Sequence, residues 1–131
     1  MNHQRLRSIF RKHFPWDAWE GLIEERGVTI DRPANKPHPD YPSIIYPMDY
    51  GFVPGTIGSD GREVDVFQGK EESAGLVGLI LSHDQRKGDR EVNLLYNCSP
   101  REIYLAHGFI NFDRSLLRGM LVMRVAKHRL W

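Results

Sequence analysis

Four aspartates fall into two pairs of equal spacing, Asp60 with Asp65 and Asp84 with Asp89, each beside a turn between apolar stretches. Carboxylates brought together repel one another and are driven toward protonation unless a cation lies among them. A site whose donors are all oxygen suits Mg²⁺, with Mn²⁺ or Ca²⁺ as alternatives, far better than zinc. A magnesium ion among them would resolve that electrostatic conflict. The spacing has a second reading, because Asp and Gly favour hairpin turns for backbone reasons alone. Spacing by itself leaves both open.

The elements that must carry these residues are short. Glu63 to Phe67 alternates, which puts Val64 and Val66 on one face and Glu63, Asp65 and Phe67 on the other. Asp65 therefore projects away from the valines. The runs 75–82 and 91–96 are apolar and strand-like, and β-branched residues at 28–30 favour another strand. Six prolines, at 33, 37, 39, 42, 47 and 54, forbid a helix between them and leave extended loop with at most short or edge strands. Residues 3–26 carry apolar positions at helical spacing interrupted at Pro15, which predicts two short helices, the second ended by Gly27. Ser99, Pro100 and Glu102 form a cap-like helix start. Leu116, Leu117, Met120, Leu121 and Val125 predict a further helix over 113–127. The expected class is α+β, mainly β: short strands closing a barrel, with helices at both ends of the chain packed outside it.

At 131 residues the chain is expected to be a single domain, 1–131, with no repeat or linker at which to divide it. Eighteen Lys and Arg against seventeen Asp and Glu leave a net charge of +1, too little for a general nucleic-acid footprint. The single cysteine, Cys98, has no partner for an internal disulfide. No run of about 18 apolar residues occurs and the basic N-terminal stretch lacks the pattern of a signal peptide. The expectation is a cytoplasmic protein with no membrane or nucleic-acid partner.

From Ile30 to Asp89 the order of motifs is I-D-R-P-A-N, then Y-P-M-D-Y-G-F-V-P-G-T from Tyr46, then D-G-R-E-V-D-V from Asp60, then Asp84 and Asp89. This succession resembles the soluble (family I) inorganic pyrophosphatases, with the chain a divergent and shortened relative. The resemblance implies a five-stranded OB-like barrel with flanking helices, and Mg²⁺-dependent hydrolysis of diphosphate, or a related phosphoanhydride, to two phosphates by a metal-activated water. It implies Asp60, Asp65, Asp84 and Asp89 as metal ligands, with Asp31 where the family usually has a glutamate that helps hold metal. Tyr46 and Tyr50 match the two active-site tyrosines of the family's Y-P-x-N-Y-G motif, with Asp49 in place of its asparagine. Relatives are commonly oligomers, so a homo-oligomer is implied.

The departures are chemical. The family's D-G-D-P-x-D has a middle aspartate that helps activate the attacking water; here Arg62 stands in its place, and an arginine cannot accept that proton. Phosphate-binding lysines of the family align near Asp40 and with Glu91, and the segment between Tyr41 and Tyr46 is too short for the hairpin that carries a phosphate-binding arginine. Arg62 is a candidate to bind phosphate in their stead, with Lys36, Lys70, Arg86, Lys87 or Arg90 assisting. Glu63 is either a displaced base or a polar strand residue, and His83 either a ligand or a hydrogen-bonded structural group. The alternative function is a non-catalytic pyrophosphatase-like metal- or phosphate-binding or assembly module.

Overall fold

The computed structural model describes residues 14–58 and 61–124. The expected first helix, within 3–13, and Asp60 lie outside them. The elements run in the order α1 (Trp16–Arg26), β1 (Thr29–Arg32), β2 (Asp49–Phe52), β3 (Asp65–Gln68), β4 (Leu76–Asp84), β5 (Arg90–Tyr96), α2 (Pro100–Ile110) and β6 (Leu117–Met123).

The strands form one six-stranded sheet in the order β1-β2-β3-β5-β4-β6. All neighbours are antiparallel except β3 and β5, which run parallel with Asp65 opposite Asn93. The protein is α+β and mainly β as expected. The sheet differs from the expected five-stranded barrel, because among the described residues it has six strands and does not close: β1 and β6 end it.

Successive residues point to opposite sides of a strand, and both sides here are covered. Val66, Leu79 and Leu94 join Trp16 and Ile23 of α1 in one core. Phe67, Ile80 and Leu95 join Ile103, Ala106 and Ile110 of α2 in the other. The apolar runs of β4 and β5 are thus continuous because each residue has a helix-covered face to enter. The alternation at 64–67 holds, with Val64 and Val66 toward α1 and Phe67 toward α2.

Pro15 is the residue before the first turn of α1, and Gly27, at φ 75°, ends it with its N–H on Ile23 O. At α2 the Ser99 hydroxyl accepts from Glu102 N at 3.2 Å, and Glu102 returns a carboxylate oxygen to Ser99 N at 3.0 Å. This reciprocal cap was legible in the sequence.

The helix expected over 113–127 is instead β6. Its burial alternates, with Leu117, Leu121 and Met123 toward the α2 core and Val122 toward the α1 core. Gly119 is the reason it fits: a Cβ there would lie 2.5 Å from Ile110 Cγ2 and 2.6 Å from Ile80 Cγ2. The bare glycine lets the strand pass beneath the end of α2, and a mid-segment glycine weakens a helix. Arg124, just past β6, pairs with Asp17 and Glu20 of α1 and donates to Leu76 O.

The proline-rich stretch holds β2, flanked by Pro47 and Pro54 but free of proline itself. Despite its surroundings β2 is an interior strand, and Gly51 permits it: a Cβ there would meet Thr29 O of β1 at 1.8 Å. No described helix is long and apolar enough to cross a membrane.

Candidate active site

A cleft of about 800 Å³ opens on the α2 face, at the end of the sheet where β4 turns into β5. Its floor is polar. Asn93 of β5 is 2% exposed, a buried amide within an otherwise apolar strand. Its Nδ2 donates to Ile80 O and to Ser82 Oγ, each at 3.0 Å, and its Oδ1 accepts from the Tyr50 hydroxyl at 3.3 Å. Such a buried amide is tolerated because its donors and its acceptor are engaged. The parallel pairing of β3 with β5 sets Asp65 directly beside it.

Tyr50 and Tyr46 sit in this setting. Burial, then the charge of Asp65 and a hydrogen bond with its carboxylate, hold the Tyr50 hydroxyl well above its ordinary pKa. Tyr46 is raised first by burial; Arg32 opposes the shift, while Asp65, Asp31 and Glu91 add to it. Both tyrosines therefore remain protonated donors at neutral pH. Their rings lie 4.9 Å apart, and Tyr46 also packs on Phe109 at 4.6 Å.

The loop that delivers Tyr46 is ordered by its own bonds. Asn35 N donates to Tyr46 O, His38 N to Ile44 O, and Pro37 bridges Ile45. His38 Nδ1 accepts from Asp40 N and Tyr41 N, and the ring stacks on Tyr46. Asp49 accepts from Ala34 N at 2.9 Å, so this carboxylate anchors the segment after β1.

The candidate residues are distributed as follows. Tyr46, Tyr50, Asp84 and Asp89 line the cleft together with Glu91, Asn93 and Arg86. Asp65 lies just behind it on Tyr50 and borders a smaller hollow with Glu63 and Glu91. Asp31 occupies the irregular step in the β1–β2 ladder and pairs with Arg32 at 3.3 Å. Asp84 caps its own turn: Oδ1 accepts from Arg86 N at 2.9 Å and Lys87 N at 3.0 Å, and these bonds lower its pKa. Arg62 is exposed on the 58–62 turn, and Lys36 is exposed on the 33–46 loop; neither is among the residues lining the cleft. His83 contacts Gln85 through Nδ1 at 3.1 Å.

Among the described residues no three His, Cys, Asp or Glu side chains converge as a preformed metal cage. The donor set still fits Mg²⁺, which is commonly held by one or two carboxylates, waters and the phosphates of its substrate. Asn93, Ser82, Arg32 and Phe109 were not singled out from sequence. A polar residue breaking the apolar run at 92–95 was the available signal for Asn93; Phe109, on a helix read only for its cap, gave none.

No family model matches the chain. Over 56 residues it is 36% identical to the inorganic pyrophosphatase of Thermus thermophilus, a match covering 37% of this chain and 32% of that protein. The chain thus aligns with about a third of the length of that curated relative. The inorganic pyrophosphatase of Neisseria gonorrhoeae superposes with a TM-score of 0.59 at 15% identity, covering 74% of this chain and 81% of that one. That of Coxiella burnetii gives 0.55 at 16% identity, covering 79% and 88%. The chain has the fold of these solved inorganic pyrophosphatases.

Proposed function

We propose that this protein hydrolyses inorganic diphosphate, or a related phosphoanhydride, with the help of a divalent cation, Mg²⁺ in the first instance and Mn²⁺ as a substitute. The observation that carries the reading is the cleft in which two protonated tyrosines, Asp84, Asp89 and Glu91 meet over a floor joined to Asp65, on a fold shared with inorganic pyrophosphatases.

Asp65, Asp84 and Asp89 are the residues that would hold the cation, with Asp60 and Asp31 as further ligands. Bound there, it would supply an acidified water and neutralise charge on the phosphates. The protein's own part is positional. Tyr46 donates a hydrogen bond toward phosphate oxygens, Tyr50, whose hydroxyl is engaged by Asn93 and Asp65, orders the floor beneath, and Arg86 offers a cationic contact at the cleft. The apolar wall of Ile44, Ile45 and Phe109 leaves room for a phosphoanhydride larger than diphosphate. Assembly as a homo-oligomer and a cytoplasmic setting complete the reading.

The test is phosphate release from diphosphate with Mg²⁺, with Mn²⁺ and with chelator, in the native protein and Asp65→Ala, alongside calorimetric titration of the metal. Metal-dependent release lost in Asp65→Ala is expected; release that persists in that variant would place the reaction elsewhere.

A second reading, a non-catalytic metal- or phosphate-binding module, is favoured by one feature: Arg62 stands where the family's water-activating aspartate would be. Metal-dependent diphosphate binding without turnover would select it. A gain of hydrolysis in Arg62→Asp would then mark a site that had lost its base.

A further inference from the structure

Behind the acidic cleft, on the α1 face of the same strands, lies a hollow of about 240 Å³ of the opposite charge. It is lined by His83, Arg90, Arg114 and Arg118, with Ser82 bordering both spaces and no carboxylate among its described lining residues. The sheet register explains the convergence. His83 of β4 lies opposite Arg90 of β5 on one side and opposite Arg118 of β6 on the other. Three consecutive strands therefore present two guanidiniums and an imidazole in one row across the sheet. The two arginines lie two strands apart with the imidazole between them, so an anion placed against the row would meet guanidiniums from both sides.

The surroundings hold two of these side chains at the row. Arg118 Nε donates to Arg114 O at 3.0 Å, tying the loop before β6 to the strand. Arg114 reaches Asn111 Oδ1 at 3.3 Å, and Asn111 in turn fixes Gly119 from both sides of its peptide. The guanidiniums thus come from a strand start, an edge strand and a tethered loop, and each offers a planar fork of donors to an oxyanion.

We propose that this hollow is a second anion site, separate from the candidate active cleft, that binds a phosphate group directly, without a metal ion. The ligand is inorganic phosphate or the phosphate end of a larger molecule; the shared chemistry is a tetrahedral dianion bridging Arg118, Arg114 and Arg90. The cleft on the other face, rich in carboxylates, would take phosphates with the help of a divalent cation, so the two sites differ in their need for metal.

The experiment titrates inorganic phosphate, and separately a nucleoside monophosphate, into the full chain in chelator, following heat by calorimetry and the His83 resonances by NMR. Binding without metal is expected, with affinity falling roughly tenfold or more in Arg118→Gln and in Arg90→Gln, partial retention in Arg118→Lys, and a shift of the His83 signals. Tighter binding of the nucleotide than of phosphate would identify the larger ligand as the source, and equal binding the free ion. Absence of metal-free binding overturns the proposal, as does binding unchanged in both glutamine variants or displaced equally by chloride. Because no metal is present, none of these outcomes depends on hydrolysis at the cleft. A circular dichroism melt of each variant separates loss of the site from loss of the fold.

Discussion

At residues 84–89 the chain reverses between two antiparallel strands, and Asp84 spends its carboxylate on the turn's own N–H groups. β3 instead runs parallel to β5, and its first residue, Asp65, lies beside Tyr50 and opposite Asn93. Both aspartate pairs have the same spacing. What differs is the partner strand: a hairpin turns the carboxylate back on its own loop, whereas a parallel insertion carries it to the middle of the sheet. Asp84 caps its turn and also lines the cleft, so the two readings of this spacing meet in that residue, whereas Asp65 lies against Tyr50.

The contrast can be broken in order of expected effect. Asp65→Asn should lower metal-dependent hydrolysis by about 10- to 100-fold or more, measured by phosphate release, with little change in melting temperature. An equal loss of folding would make Asp65 structural. Asn93→Leu should cost about 1–3 kcal/mol in chemical denaturation, because the Tyr50 hydroxyl, Ser82 and Ile80 O each lose a partner.

Cys98 offers a test independent of the cleft. Burial pushes its thiol from 9.0 up to about 12. The folded state therefore holds a proton that the unfolded chain has released, and stability falls as pH rises from about 9 toward about 12, by about 1.4 kcal/mol per pH unit. Cys98→Ala should flatten that alkaline limb in urea titrations. The smallest effect belongs to Asp84. Its pKa is lowered, so its contribution is present above the unfolded value of 3.8 and lost as pH falls through the folded one. Asp84→Asn should slightly flatten the acid limb of stability. A large loss of hydrolysis at neutral pH in that variant would show that Asp84 also serves the cleft.

Much of the fold was legible where chemistry is local. The cap at Ser99, the stop at Gly27 and the apolar runs of β4 and β5 each carry their signal within a few residues. β6 was misread because Leu116, Leu117, Met120 and Leu121 satisfy a helical spacing and half satisfy a strand's, and only contact with Ile80 and Ile110 explains Gly119. β2 was hidden for the same reason: its glycine is required by a strand 22 residues earlier (Thr29 against Gly51). Tyr46, Tyr50, Asp84 and Asp89, each named from its motif, line one cleft. The floor at Asn93 and the wall at Phe109 depend on pairings across the sheet that no short motif encodes.

The clamp at Arg124 bears on how the chain is made. β4 lies between β5 and β6, and Arg124 reaches back to Asp17, Glu20 and the start of β4. A ribosome releases the chain N-terminus first, at about 5–20 residues per second, so α1 and β4 wait with an open flank until β6 emerges. A nascent chain stalled before residue 117 would therefore present the bare edge of β4 to chaperones or to its neighbours.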